Sequence, residues 1–235
     1  VLFDLLLHCD SARARATDGT LGFRVNHVMV GPINKTLDLV VTVAPADRPK
    51  EGLSSFASLV TRYGIQLDRE DRSALARLPP VYEDARTDTH EVAIALEAKA
   101  CMTEHSKSLP RLHAEVLATG YLAKQAAPHC IAVSYSLVNA ATTFFSPARS
   151  GKSTKHSQPS DARRVIDMLA KAIPRVSPTS RFGYDVIGVT AIDCRNDGTP
   201  VTLAAAAASP RVDEHVHYER MIGGLCGAFR DRFRA

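Results

Sequence analysis

The chain has no tryptophan and only 6% aromatic residues. A carbohydrate-stacking platform or an aromatic cage for an ammonium ligand therefore has little material here. No apolar run approaches the ~20 residues that a spanning helix requires. The opening VLFDLLLHCD is apolar, but Asp4 interrupts it and no basic region precedes it. A first helix is expected there rather than a signal peptide. No CxxC pair occurs, and the five cysteines are odd in number and widely scattered. That pattern predicts neither a disulfide framework nor a structural zinc site, and it favours buried thiols in a reducing, cytoplasmic compartment. No internal repeat is visible.

What is present is ordinary for a protein with a packed core: 235 residues, 45% hydrophobic and 23% charged. That length suits a single domain over residues 1–235, enlarged by an insertion. The net charge is only +4, but it is unevenly spread. Residues 99–181 hold 12 Lys and Arg against 4 Asp and Glu, whereas the flanking segments are slightly acidic. A basic middle third is a footprint suited to phosphate.

Periodicity predicts a helix over 1–16, then strands at LGFRVNHVMV and TLDLVVTVA joined as a hairpin. Residues 45–90 are charged, contain Pro79-Pro80, and read as a helical insertion or lid with two short amphipathic helices. EVAIALEAKA is the third strand, 104–124 the next helix and HCIAVSYSLVNA a fourth strand. Residues 146–160 read as a flexible basic loop. A helix over 160–171, a second hairpin turning at Asn196-Asp197-Gly198 and a C-terminal helix from about Asp213 complete the order. The fold class is α/β with a mixed central sheet.

The third strand carries the chemistry. Alternate side chains share a face, so Val92, Ile94, Leu96 and Ala98 are expected in the core. Ala93, Ala95, Glu97 and Lys99 then line the opposite face. A carboxylate and an ammonium at the end of an apolar strand are costly unless paired or bound. Glu97 suits Mg²⁺, a hard cation that takes oxygen ligands. Lys99, on the same face, is placed to orient or help deprotonate an attacking water. The chemistry requires a second carboxylate, and Asp38 in KTLDLVV is the candidate, because its strand should neighbour that of Glu97. The carbonyl of Ala98 offers a further oxygen ligand.

Asp38 followed by Glu97-Ala98-Lys99, in the order helix, three strands, helix, strand over residues 1 to about 140, resembles the PD-(D/E)xK nuclease superfamily, the group of many restriction endonucleases. The resemblance implies an αβββαβ core, with the motifs on core strands 2 and 3. It implies a divalent-metal site at Asp38 and Glu97, with Lys99 assisting hydrolysis of a DNA phosphodiester in restriction or phage defence. A carboxylate of the first helix, Asp4 or Asp10, would contribute in such a site. Leu37 stands where the family often has proline. The interval from Asp38 to Glu97 is long for the motif and requires the insertion between core strands 2 and 3; without it, Asp84 or Asp88 becomes the partner carboxylate. Lys107, Arg111, Arg149, Lys152 and Lys155 are the expected contacts to the phosphate backbone of double-stranded DNA. Cutting both strands favours a homodimer, with the C-terminal helix as one possible interface. The alternatives are a non-catalytic nucleic-acid-binding protein on the same fold, or an RNA or repair nuclease.

Other motifs carry less. RSGKST has Ser146 where a P-loop has its first glycine, and Pro159 limits the helix that should follow. His215 and His217, read as helical, would face different ways and so have a surface role. His105 and His113 are expected to be structural or solvated. Ser134 and Tyr135 lack the strand-to-helix elbow of a nucleophilic serine.

Overall fold

A computed structural model describes residues 1–31, 33–44, 54–84, 92–147, 152–173 and 182–233. Among them the chain is α/β, with seven helices and a mixed seven-stranded sheet. Among the described residues no helix is long and apolar enough to cross a membrane.

The expected first helix is two: α1 (Leu2–His8) and α2 (Asp10–Thr17). Cys9, in extended conformation, separates them. Leu2, Leu5 and Leu6 are the buried stripe of α1. The predicted hairpin is present as β1 (Leu21–Met29) and β2 (Lys35–Val43), antiparallel with Phe23 opposite Val41 and His27 opposite Leu37. Two helices and a short strand follow: α3 (Ser58–Arg62), α4 (Arg69–Arg77) and β3 (Tyr82–Glu83). Asp68 caps α4 by accepting from the Asp71 N–H at 2.8 Å, with Glu70 and Asp71 in the first turn and Arg77 in the last, as the helix dipole favours. β3 lies parallel to β1. The expectation for 45–90 contained only the helices and omitted this pairing.

The next elements are β4 (Val92–Cys101), α5 (His105–Ala126), β5 (Ile131–Asn139), β6 (Thr143–Phe145) and β7 (Ser153–Lys155). Then come α6 (Ser160–Ala172), β8 (Val186–Asp193), β9 (Thr202–Leu203) and α7 (Tyr218–Arg232). Part of the expected 146–160 loop is therefore strand: β7 pairs with β6, Phe144 opposite Thr154. The second expected hairpin exists as β8 and β9, although β9 is only two residues long.

The chain forms two compact units, and β4, β5, α5 and α7 each run from one into the other. In the first unit the strands are ordered β3-β1-β2-β4. Met29, Leu37, Val40, Val92, Ala95, Ala123, Ala127 and Cys130 form one of its apolar clusters. Cys9 and Cys226 are joined as a disulfide in this unit, their Cα atoms 5.4 Å apart. The expectation that no disulfide forms is corrected at this pair, while Cys101, Cys130 and Cys194 remain thiols, the first two of them buried. Ile222, Leu225 and Phe229 of α7 are buried within the chain, so these residues of the suggested dimer face are already covered. In the second unit β5 runs parallel to β8, and β8 is antiparallel to β9. The apolar stripe of α6, Val165, Ile166 and Leu169, is fully buried.

Candidate active site

β4 is buried on both faces from Val92 to Glu97 and opens to solvent from Ala98. A strand covered on both sides reads as a nearly continuous apolar run, which VAIAL is. Ala98, expected in the core, is exposed, because the cover ends one residue before it. Glu97 is 5% exposed, and its Oε1 is ion-paired with Nζ of Lys99, whose side chain is 22% exposed. The two charges therefore meet where β4 leaves the interior. That geometry keeps the ammonium beside the carboxylate and partly in contact with water.

Tyr184 is a member of this neighbourhood that sequence reasoning missed. It is buried, and its hydroxyl donates to the Val116 carbonyl of α5 at 2.6 Å. Burial pushes its phenol well above the ordinary tyrosine value, and the negative charge of Glu97 raises it further. Its ring packs on Gly120, where a Cβ would come within 2.6 Å of Cε2. Only a residue without a side chain lets the ring lie against α5 there. A glycine inside an otherwise good helix is the sequence signal for such a close approach.

The exit of β4 is fixed by Asn139, fully buried at the end of β5. Its Nδ2 donates to the carbonyls of Met102 at 3.0 Å and Cys194 at 2.8 Å. Its Oδ1 accepts from the N–H groups of Ala141 and Cys194. The side chain thus ties together the chain segments that follow β4, β5 and β8. His105, the first residue of α5, is buried, with Nε2 at 2.7 Å from the Asn139 carbonyl. Its ring stands edge-on to that of His156, with centroids 4.6 Å apart. Burial lowers the His105 pKa below the usual histidine value; the Asn139 carbonyl opposes this and His156 reinforces it. Its role is structural.

Asp38 lies on β2 in the first unit and is half-buried. It adjoins Leu39, whose ladder partner is Leu96, the residue before Glu97. Asp84, the alternative carboxylate, lies apart from the β2–β4 pairing beside Leu96. It is buried and accepts from the Thr42 hydroxyl at 2.9 Å, at the other end of β2, where it also backs Gly22. Asp88 lies outside the described residues. Asp4 is half-buried on α1, whereas Asp10 is exposed and ion-paired with Arg13. Among the described residues no three His, Cys, Asp or Glu side chains form a metal cluster.

The expected phosphate contacts are spread over several elements. Lys107 and Arg111 are exposed on α5 and carry partners of their own, Glu104 at 3.6 Å and Glu115 at 3.4 Å. Exposed pairs of this kind are worth at most about 1 kcal/mol and exchange readily for phosphate. Lys155 is exposed on β7, Lys152 is exposed just before it, and Arg149 lies outside the described residues.

No family model, curated protein or solved structure matches this chain.

Proposed function

We propose that this protein is a Mg²⁺-dependent endonuclease that hydrolyses phosphodiester bonds of double-stranded DNA, in restriction or phage defence, and that it works as a homodimer on a restriction-endonuclease-like core. The observation that carries the reading is the buried Glu97 carboxylate held against Lys99 at the mouth of an apolar strand. An ion pair with one buried partner is weak as a stabilising device, so its placement there is better explained by chemistry. Asp38, beside the residue that pairs with Leu96, supplies the second carboxylate. The donor set of Asp38, Glu97 and the Ala98 carbonyl is all oxygen, which suits a hard cation. Mg²⁺ commonly takes one or two carboxylates and keeps water and phosphate oxygens for its other positions, so a third acidic side chain is not required.

When bound, the cation supplies Lewis-acid polarisation of the phosphodiester and a water of lowered pKa. Lys99 then has two tasks. Its ammonium orients the incoming water on the face it shares with Glu97, and it offsets charge that develops on the phosphate. Glu97 holds that ammonium in place, and Asn139 fixes the chain segment just beyond it. Lys107, Arg111, Lys152 and Lys155, together with Arg149, provide contacts to the backbone that set position without reading bases.

The test is cleavage of mixed plasmid and phage DNA with Mg²⁺, with EDTA, and with Lys99→Ala. Cutting should need Mg²⁺ and fall by about 10²-fold or more in the variant, the usual scale for loss of one group that stabilises transition-state charge. Circular dichroism should show the variant folded. Absence of cutting with every divalent cation, while DNA is still retarded in a gel, would replace this reading with that of a non-catalytic binding protein.

A further inference from the structure

In the second unit a cleft of about 490 Å³ opens beside β8, within the ~300–1,000 Å³ range of small-molecule sites. Its walls are mainly apolar, and among the described residues neither lysine nor arginine lines it. Tyr135 of β5 and Tyr218 of α7 form an aromatic corner, with ring centroids 5.7 Å apart and planes at 61°. Leu203, 77% exposed on the two-residue strand β9, makes an apolar lip. We propose that this cleft is a binding site for a flat, uncharged heteroaromatic ring of the nucleobase class, separate from the Glu97–Lys99 site and independent of the cleavage reading.

Four observations select that class. The aromatic corner offers one ring face for stacking, which is sequence-tolerant and favourable for any base. The polar groups in the cleft are those that read the edge of a ring. The Tyr135 hydroxyl donates to Oγ1 of Thr190 at 3.0 Å, which leaves the threonine proton for an acceptor in the cleft. The Nδ1 of His217 is buried and has no hydrogen-bond partner among the described residues, a cost that a ligand bond would remove. Glu219, in the first turn of α7, places a carboxylate at the same cleft, suited to an exocyclic amino group. That carboxylate, with no cation nearby to offset it in the lining, disfavours phosphate and carboxylate ligands. His217 precedes α7 and bridges to Val189 of β8, so its ring is held beside the sheet rather than on a helix surface, as the sequence pattern had suggested.

Because the chain lacks tryptophan, Leu203→Trp places a single indole at the lip. The experiment titrates that variant with adenosine, cytidine, thymidine and inosine, using toluene and cyclohexanol as controls for apolar filling. Saturation-transfer NMR on the parent chain with the same compounds runs alongside. Saturable quenching by at least one nucleoside is expected, matched by transfer to its base protons in the parent. Adding Tyr218→Ala should weaken binding by about fivefold or more, the low end for loss of one stacked base. The proposal is overturned if no nucleoside binds the parent up to its solubility limit. It is equally overturned if toluene or cyclohexanol binds as well as the nucleosides, or if Tyr218→Ala changes nothing in a folded variant.

Discussion

At the scale of single residues, Asn139 concentrates more consequence than any charged group. Its side chain makes four hydrogen bonds to backbone, to Met102, Ala141 and both polar groups of Cys194. The Ala141 bond is buried and the other three are part-buried, so removing the amide leaves groups largely cut off from water without their partner. Such groups cost about 1–3 kcal/mol each when orphaned, less whatever relaxation and water entry recover. Asn139→Ala should therefore lower unfolding free energy by about 2–4 kcal/mol, measured as a reduced urea midpoint at unchanged slope. Asn139→Asp is the more informative partner. It keeps the two accepted bonds and turns the two donated ones into repulsive contacts between oxygens, so it should be no better tolerated than alanine. Glu97 and Lys99 stand differently. They meet in one ion pair through Oε1 of Glu97, and its value lies in what it holds at the mouth of β4.

At the scale of elements, the glycines of α5 and α7 behave oppositely for one geometric reason. A Cβ on Gly120 would sit 2.6 Å from Cε2 and 2.9 Å from Cζ of Tyr184. That ring is anchored by its hydrogen bond to Val116, so it cannot yield without losing the bond. Gly120→Ala should cost about 1–3 kcal/mol by overpacking, partly offset by about 1 kcal/mol of helix propensity. A Cβ on Gly223 meets nothing within 4 Å. Gly223→Ala should stabilise by about 0.5–1 kcal/mol. Thermal denaturation of the two variants side by side checks the sign of each. The same elements show what a sequence can and cannot disclose. β1, β2, α5 and β5 were legible because their apolar spacing is long enough to declare a period, and β4 because its apolar run is unbroken and bounded by polar residues. β3 was not, since two residues next to Pro79-Pro80 carry no pattern, and its parallel pairing with β1 is set by distant chain. Asp38, Glu97 and Lys99 were readable as polar intrusions into apolar strands. Tyr184, Asn139 and the Cys9–Cys226 bridge were not, because each acts through partners remote in sequence.

At the scale of the whole molecule, the acid limit of stability follows from histidines that folding removes from water. His27 on β1 and His105 on α5 are both buried. Burial is the largest cause lowering the pKa of each; Arg24 adds to it at His27, and Asp84 opposes it. The ordinary histidine value is 6.5. Well above it, both rings are neutral whether the chain is folded or unfolded, and they contribute no pH dependence. As the pH falls through 6.5 the unfolded chain takes up protons that the folded chain does not, so the folded state loses ground. The loss continues until the pH reaches the lowered folded-state values, below which both states bind the same protons. His105 has a further reason to resist protonation, because a charge on it would face the His156 ring at 4.6 Å between centroids. Asp161 works against this and softens it. The histidines should begin to lower the urea midpoint near pH 7 and continue toward pH 5, on top of the decline that starts near pH 8 from the Val1 amino group, whose pKa burial lowers. His105→Gln retains an N–H donor for the Asn139 carbonyl and removes the titration. Its midpoint should therefore fall less steeply across that interval than the parent's. A parallel decline in the two proteins would assign the acid sensitivity to other groups, with His27 the first to examine.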